Sequence, residues 1–270
     1  MKHTMRAWAL LLCALLIFGL FGCKGTEAPE ETTAGDDGST AVTTAAENDT
    51  TAGNAATDTP GTRPTEPTVT KPTSEVTYTG VRLYQIGSTV WVQAIAEFEN
   101  TGDETMYVFG ATFTLRDDSG AEVAVKNDTT AHPRIVRSGE KSYLYLETPL
   151  AGVDVNAQLT LVPGIDAIAT EIEKATLTAE DVTLGTNALG DLTVTGVVRN
   201  TSSESCSEVY ISAVLFDSDD APIGVISSGY AATLPVGESL TIDSSAFALP
   251  DDITPDSVAR YEICVCAEVR

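Results

Sequence analysis

One pattern of strands is written twice in this chain, about 100 residues apart, and that repeat limits the available folds more than any other feature. Ala96-Glu97-Phe98-Glu99-Asn100-Thr101 lines up with Gly196-Val197-Val198-Arg199-Asn200-Thr201. Phe113-Thr114-Leu115-Arg116-Asp117 lines up with Ala213-Val214-Leu215-Phe216-Asp217 at the same offset of 100. Gly139-Glu140 then matches Gly237-Glu238 at 98, and Pro149 matches Pro250 at 101. Drifts of this size are what changes in loop length leave behind. A match of this period reads as one structural unit present twice.

Within each copy the apolar residues alternate. Val90, Val92, Ala94, Ala96 and Phe98 share one face in the first copy, with Trp91, Gln93, Glu97 and Glu99 on the other. Leu192, Val194, Gly196 and Val198 alternate with Thr193, Thr195 and Arg199 in the second, and Val209, Ile211, Ala213 and Leu215 repeat the pattern. Period two predicts half-buried β-strands. Asp117-Asp118-Ser119-Gly120 and Asp217-Ser218-Asp219-Asp220 supply turn chemistry between them. Short strands punctuated by turns predict antiparallel sandwiches. Ile165, Ile168 and Ile172 stand at helical spacing around 166–174, which reads as a short helix or as an end strand at the junction.

An Asn-Thr step after a strand, a strand ending near F-x-L-Y-D, a turn and a later P-x-G-E step resemble the FxLYD domain, an immunoglobulin-like β-sandwich of bacterial surface proteins and lipoproteins. The first copy has Phe113, Leu115 and Asp117, with Arg116 at the Tyr place. The second has Leu215, Phe216 and Asp217, with Ala213 at the Phe place, followed by Leu234-Pro235-Val236-Gly237-Glu238. The resemblance spans the chain from Val76 onward. It implies two tandem immunoglobulin-like sandwiches, an all-β fold, and signature residues with structural roles: Leu and Phe in the core, Asp and Gly in turns.

The chain before the repeat has a different character. Lys2 and Arg6 precede an apolar run, Ala7 to Phe21, that ends in Leu20-Phe21-Gly22-Cys23. This looks like the lipobox of a bacterial lipoprotein signal peptide. The apolar run would reach about 22 Å as a helix, short of a hydrocarbon core of about 30 Å. Residues 1–22 are therefore expected to be a removed leader, with a diacylglycerol on Cys23 as the anchor, since two chains suffice for stable attachment. Lys24 to Glu75 holds no Leu, Ile, Phe, Tyr or Trp, so 23–75 is expected to be a disordered Thr/Ala/Glu/Pro-rich tether. It would average about 40 Å end to end as a coil and reach about 150 Å as a stretched polyproline helix. The expected organisation is leader 1–22, tether 23–75, sandwich 76–170 and sandwich 171–270, on the extracellular face of a bacterial membrane.

The chain carries 15 basic and 39 acidic side chains, with 18 acids against 4 bases over 164–270 and 11 against 6 over 76–163. Such a balance excludes nucleic acid as the partner, because phosphate binding draws on Lys and Arg. The cysteines beyond the leader are Cys23, Cys206, Cys264 and Cys266. Cys264 and Cys266 share a strand face and cannot bridge one another, while Cys206 paired with Cys264 or Cys266 is a candidate disulfide. His132 is the only histidine beyond the leader, and no G-x-S-x-G elbow or CxxC pair accompanies it. Asp217, Asp219 and Asp220 bring calcium to mind, but Ala221 and Pro222 stand where an EF-hand loop needs a ligand and a glycine, which makes a hairpin turn. No enzyme chemistry, metal or cofactor is expected. Trp91, set opposite the core face, is the candidate binding surface. The functional expectation is a membrane-anchored lipoprotein that displays two non-catalytic modules to an envelope protein or glycan. The alternative is a structural spacer or accessory subunit of an envelope complex.

Overall fold

The computed structural model describes residues 72–127, 129–246 and 249–269. The leader, Cys23 and nearly all of the tether lie outside the described residues. What is described is all-β, with antiparallel sheets throughout and one 3-10 turn at Pro255–Ser257.

The first sandwich contains β1 (Ser74–Ile86), β2 (Thr89–Asn100), β3 (Met106–Arg116), β4 (Glu122–Lys126), β5 (Thr130–His132), β6 (Ile135–Val136), β7 (Lys141–Pro149) and β8 (Thr160–Ala169). One sheet runs β1-β2-β7-β5. In the other, β3 takes β4 and β6 along one edge and β8 along the opposite edge. The second sandwich contains β9 (Leu177–Thr186), β10 (Leu192–Asn200), β11 (Cys206–Phe216), β12 (Pro222–Leu234), β13 (Ser239–Ser245) and β14 (Arg260–Val269), in sheets β9-β10-β13 and β12-β11-β14.

The topology repeats with the sequence. The β1-β2-β7 arrangement matches β9-β10-β13, and β3 and β11 have the same bounds at an offset of 100. So do β8 and β14, although their sequences share no pattern. The isoleucines at helical spacing therefore belong to an end strand: β8 pairs with β3 along its length, from Arg116 opposite Thr160 to Met106 opposite Ala169.

Each sandwich has its own core. In the first, Val92, Ala94, Ala96 and Phe98 meet Met106, Val108, Phe113 and Leu115. In the second, Leu192, Val194 and Val198 meet Ile211, Ala213, Leu215 and Ile226. Removing a side chain such as Phe98 from water contributes about 1.5–3 kcal/mol. The alternation predicts these inner faces correctly. It also predicts a solvated outer face for β2, and there the structure differs: Gln93, Ile95 and Glu97 on that face are buried too.

The reason is a third apolar cluster between the sandwiches. Ile95 and Tyr143, from the outer face of the β1-β2-β7-β5 sheet, pack on Val214, Phe216, Val225 and Cys264 from the outer face of β12-β11-β14. The four sheets are thus stacked, and the two inner ones are covered on both sides. A sheet face is one of the few surfaces flat enough to cover another sheet, and adjoining sandwiches use it here to exclude water.

Candidate functional site

The matched residues of the repeat are structural to a degree that only the coordinates reveal. Asn100 and Asn200 are fully buried at the ends of β2 and β10. Asn100 Nδ2 donates to the carbonyls of Glu104 (2.8 Å) and Val136 (2.9 Å), and its Oδ1 accepts from the Gly102 N–H at 3.0 Å. Asn200 Nδ2 donates to Glu204 and Leu234, both at 2.9 Å, and its Oδ1 accepts from Ser202 N–H at 2.9 Å. The backbone carbonyls of the two asparagines accept from Gly139 (2.8 Å) and Gly237 (2.9 Å), the glycines of the matched Gly-Glu steps. Each Asn therefore ties three chain segments to the end of its strand, and a buried amide requires such saturation.

The acidic turns are equally spent. Asp117 Oδ1 accepts from Ser119 N–H (2.9 Å) and Ala121 N–H (3.0 Å). Asp217 Oδ1 accepts from Asp219 and Ala221 N–H, both at 2.9 Å. Hydrogen bonds from Ser119 and Ala121 hold the Asp117 carboxyl below its ordinary range. Asp220 pairs with Arg260. These acids are turn makers, and among the described residues no group of three or more His, Cys, Asp or Glu is placed to hold a metal.

His132 ends β5 and lies between the sandwiches rather than in a loop. Its Nδ1 stands 3.0 Å from Ser212 Oγ of β11. Burial, with the Arg134 charge as a lesser cause, lowers its pKa to about 4, so the ring is neutral at neutral pH. Beside it the Arg134 guanidinium lies over the Tyr210 ring, 5.0 Å from its centre. His132, Ser212, Cys264 and Cys266 line a cavity of about 250 Å³. The expected bridge from Cys206 to Cys264 or Cys266 is not formed, and all three are free thiols. The register explains why. Cys206 opposes Val269, whereas Cys266 opposes Tyr210 and Cys264 opposes Ser212, too far along the strand for disulfide geometry. Cys206 also faces the core of the second sandwich, while Cys264 faces the interface. Burial pushes the Cys264 and Cys266 thiols up, away from the reactive thiolate.

A wider cleft of about 500 Å³ opens at the same junction, lined by Arg137, Glu140, Lys141, Tyr143, Lys174 and Glu262 among others. Its cations are committed. Lys174 Nζ meets Glu140 at 2.8 Å, Lys141 Nζ meets Glu97 at 2.6 Å, and Arg137 Nη2 donates to the Lys174 carbonyl at 2.7 Å. Arg82 reaches Asp252 of the second sandwich at 3.1 Å. Several of the few basic groups in this acidic chain are thus used to brace one sandwich and join it to the other.

Trp91 lies on the outer face of β2, opposite Tyr84 and Pro149, and is half-buried. The most exposed large apolar side chain is a different one. Phe109 of β3 is 62% exposed, and Ile168 (41%), Val125 (44%) and Val162 (49%) are exposed with it. All four lie on the outer face of the β4-β3-β8 sheet. Val125 and Val162 flank Thr114 in one cross-strand row, and Ile168 pairs with Tyr107 in another. Alternation around Phe113 and Leu115 assigns the inner residues of β3 but not Phe109, because a bulge between Val108 and Gly110 interrupts the period. The equivalent face of the second sandwich, on β12-β11-β14, is the one covered by the first. This open apolar sheet face is the candidate interaction site.

No family model and no curated protein matches the chain. The likeness to the FxLYD domain rests on the residues quoted above.

Proposed function

We propose that this chain is a lipid-anchored protein of the bacterial cell envelope, held through Cys23, whose two immunoglobulin-like sandwiches act as one non-catalytic interaction unit. The observation that carries the interaction reading is the open apolar face of β4-β3-β8, with Phe109 at 62% exposure on a strand whose counterpart in the second sandwich is covered. The one histidine among the described residues supports a structural reading, since it is neutral and hydrogen-bonded across the module interface. A spacer role is favoured by a separate observation: the apolar cluster between the sandwiches joins them without a flexible hinge at that contact.

Two measurements test this reading. Membrane fractionation of Cys23→Ala is expected to move the protein from the membrane to the soluble fraction, and retention on the membrane with the leader removed would sink the anchor. Retention of the full chain on bacterial envelope preparations is expected to fall in Phe109→Ser and to hold in Thr195→Ser, a change on the opposite end of the stack. Equal retention of both variants would leave the spacer reading.

A further inference from the structure

The stack of four sheets has two end faces, and they differ in chemistry. On β9, β10 and β13 the exposed side chains are Thr178, Glu180, Thr183, Thr195, Arg199 and Asp243. On β4, β3 and β8 they are Phe109, Val125, Val162 and Ile168, with Tyr107 half-buried among them.

We propose that the β4-β3-β8 face is a self-association surface, on which two copies of this chain pack sheet to sheet about a twofold axis. This rests on the interaction reading above and names its partner as a second copy. Three observations argue for it. First, the molecule already shows what covers a face of this type. The outer face of β12-β11-β14, the topological equivalent, lies against another sheet, with Val214, Phe216 and Cys264 on Ile95 and Tyr143. Second, head-to-tail stacking of copies would set Phe109 and Ile168 on the threonines and carboxylates of the far end face. A twofold contact sets apolar on apolar, and it closes rather than growing into a filament.

Third, the order of rows on the face is self-complementary. Along the strands the outer rows run Arg116 with Glu122 and Thr160; Thr114 with Val125 and Val162; Thr112 with Gly164; Gly110 with Asp166, next to Phe109; and Tyr107 with Ile168. An axis crossing the strands at the small Thr112–Gly164 row lays the valine row of one copy on Phe109 of the other. The same operation brings Arg116 onto Tyr107, one row from Asp166. A guanidinium there has an aromatic face and a carboxylate to meet. The first sandwich is also the less acidic of the two, with 11 acids and 6 bases over 76–163, so two chains of net charge −24 repel each other least on this side.

The test replaces Phe109 with the photocrosslinker benzoylphenylalanine in the full chain expressed in a bacterial envelope. The expected result is an adduct of twice the chain mass that falls roughly fivefold or more in Arg116→Asp and returns in Arg116→Asp with Asp166→Arg, because the swap restores the pair across the axis. Both positions are on the outer face, and an unchanged thermal melt checks that the variants fold. A twice-mass adduct indifferent to the swap overturns the twofold arrangement. An adduct to a different polypeptide alone overturns self-association and leaves the interaction reading standing. Absence of any adduct overturns both.

Discussion

The two sandwiches share their strand order, their asparagine ties and their aspartate turns, yet differ in one strand. In the second, β12 is a continuous run of 13 residues from Pro222 to Leu234 that pairs with β11 from end to end. In the first, the same edge of β3 is occupied by two fragments, β4 and β6, and the segment between them crosses to the opposite sheet as β5, pairing with β7. Pro133 has no N–H to donate to a ladder, so the strand cannot continue through it. Crossing over widens the β1-β2-β7 sheet to four strands and carries His132 and Arg134 to the second sandwich. The repeat builds the two sandwiches, and a local departure from it in one copy helps build the joint between them.

The largest expected effect breaks the joint. Phe216 is fully buried in the interface, edge-on to Tyr143 with ring centres 5.7 Å apart and beneath the Arg260 guanidinium. Phe216→Ala should cost about 3–5 kcal/mol and should separate one urea transition into two. A single transition with unchanged midpoint would mean that the sandwiches are stable without each other. Next come the asparagine ties. Asn100→Ala and Asn200→Ala each strand buried carbonyls and should each cost about 3 kcal/mol, measured by denaturant midpoint. Because the bonds are the same in both copies, losses differing by more than about twofold would break the equivalence of the two sandwiches.

His132 sharpens the comparison through pH. Its folded pKa of about 4 lies below its ordinary 6.5, so the unfolded chain takes up the proton first as pH falls. Stability from this group is present above about pH 6.5 and is lost on the way down to about pH 4. The loss amounts to about 2 kcal/mol by pH 5. Glu147, held above the ordinary carboxylate range by burial, opposes it over the same window. His132→Gln removes only the histidine contribution, so its stability should fall less between pH 7 and pH 5 than the parent's; parallel curves would refute the burial argument. The smallest effect compares the two turns. Gly120 has φ +80°, where the second sandwich has Asp220 at φ +62°. Gly120→Ala should cost about 1 kcal/mol, and Asp220→Ala should cost less backbone strain but lose the pair with Arg260. Thermal melts of the two variants distinguish these contributions.

Much of the scaffold was legible before any coordinates. Period-two alternation assigned the inner faces of β2 and β10 residue by residue, because a strand leaves only two directions for a side chain. The offset of 100 announced two equivalent units, and the turns were readable because Asp and Gly have local reasons to be there. The candidate site was less legible. Phe109 stands in a β-bulge, where the period fails, and its meaning depends on which sheet face is left open. Trp91 drew attention as a lone tryptophan, but its half-burial depends on Tyr84 and Pro149, 7 and 58 positions away in the chain.

From the sequence alone came the fold class, the tandem units, the inner faces, and the exclusion of nucleic acid by charge. All of these follow from local rules: alternation, turn chemistry and composition. Only the tertiary structure decided that the outer faces of β2 and β11 are buried, that the cysteines stand apart, that Asn100 and Asn200 each tie together distant segments, and that one apolar sheet face remains open. Those outcomes depend on which surface meets which, and that is settled by packing between residues far apart in the chain.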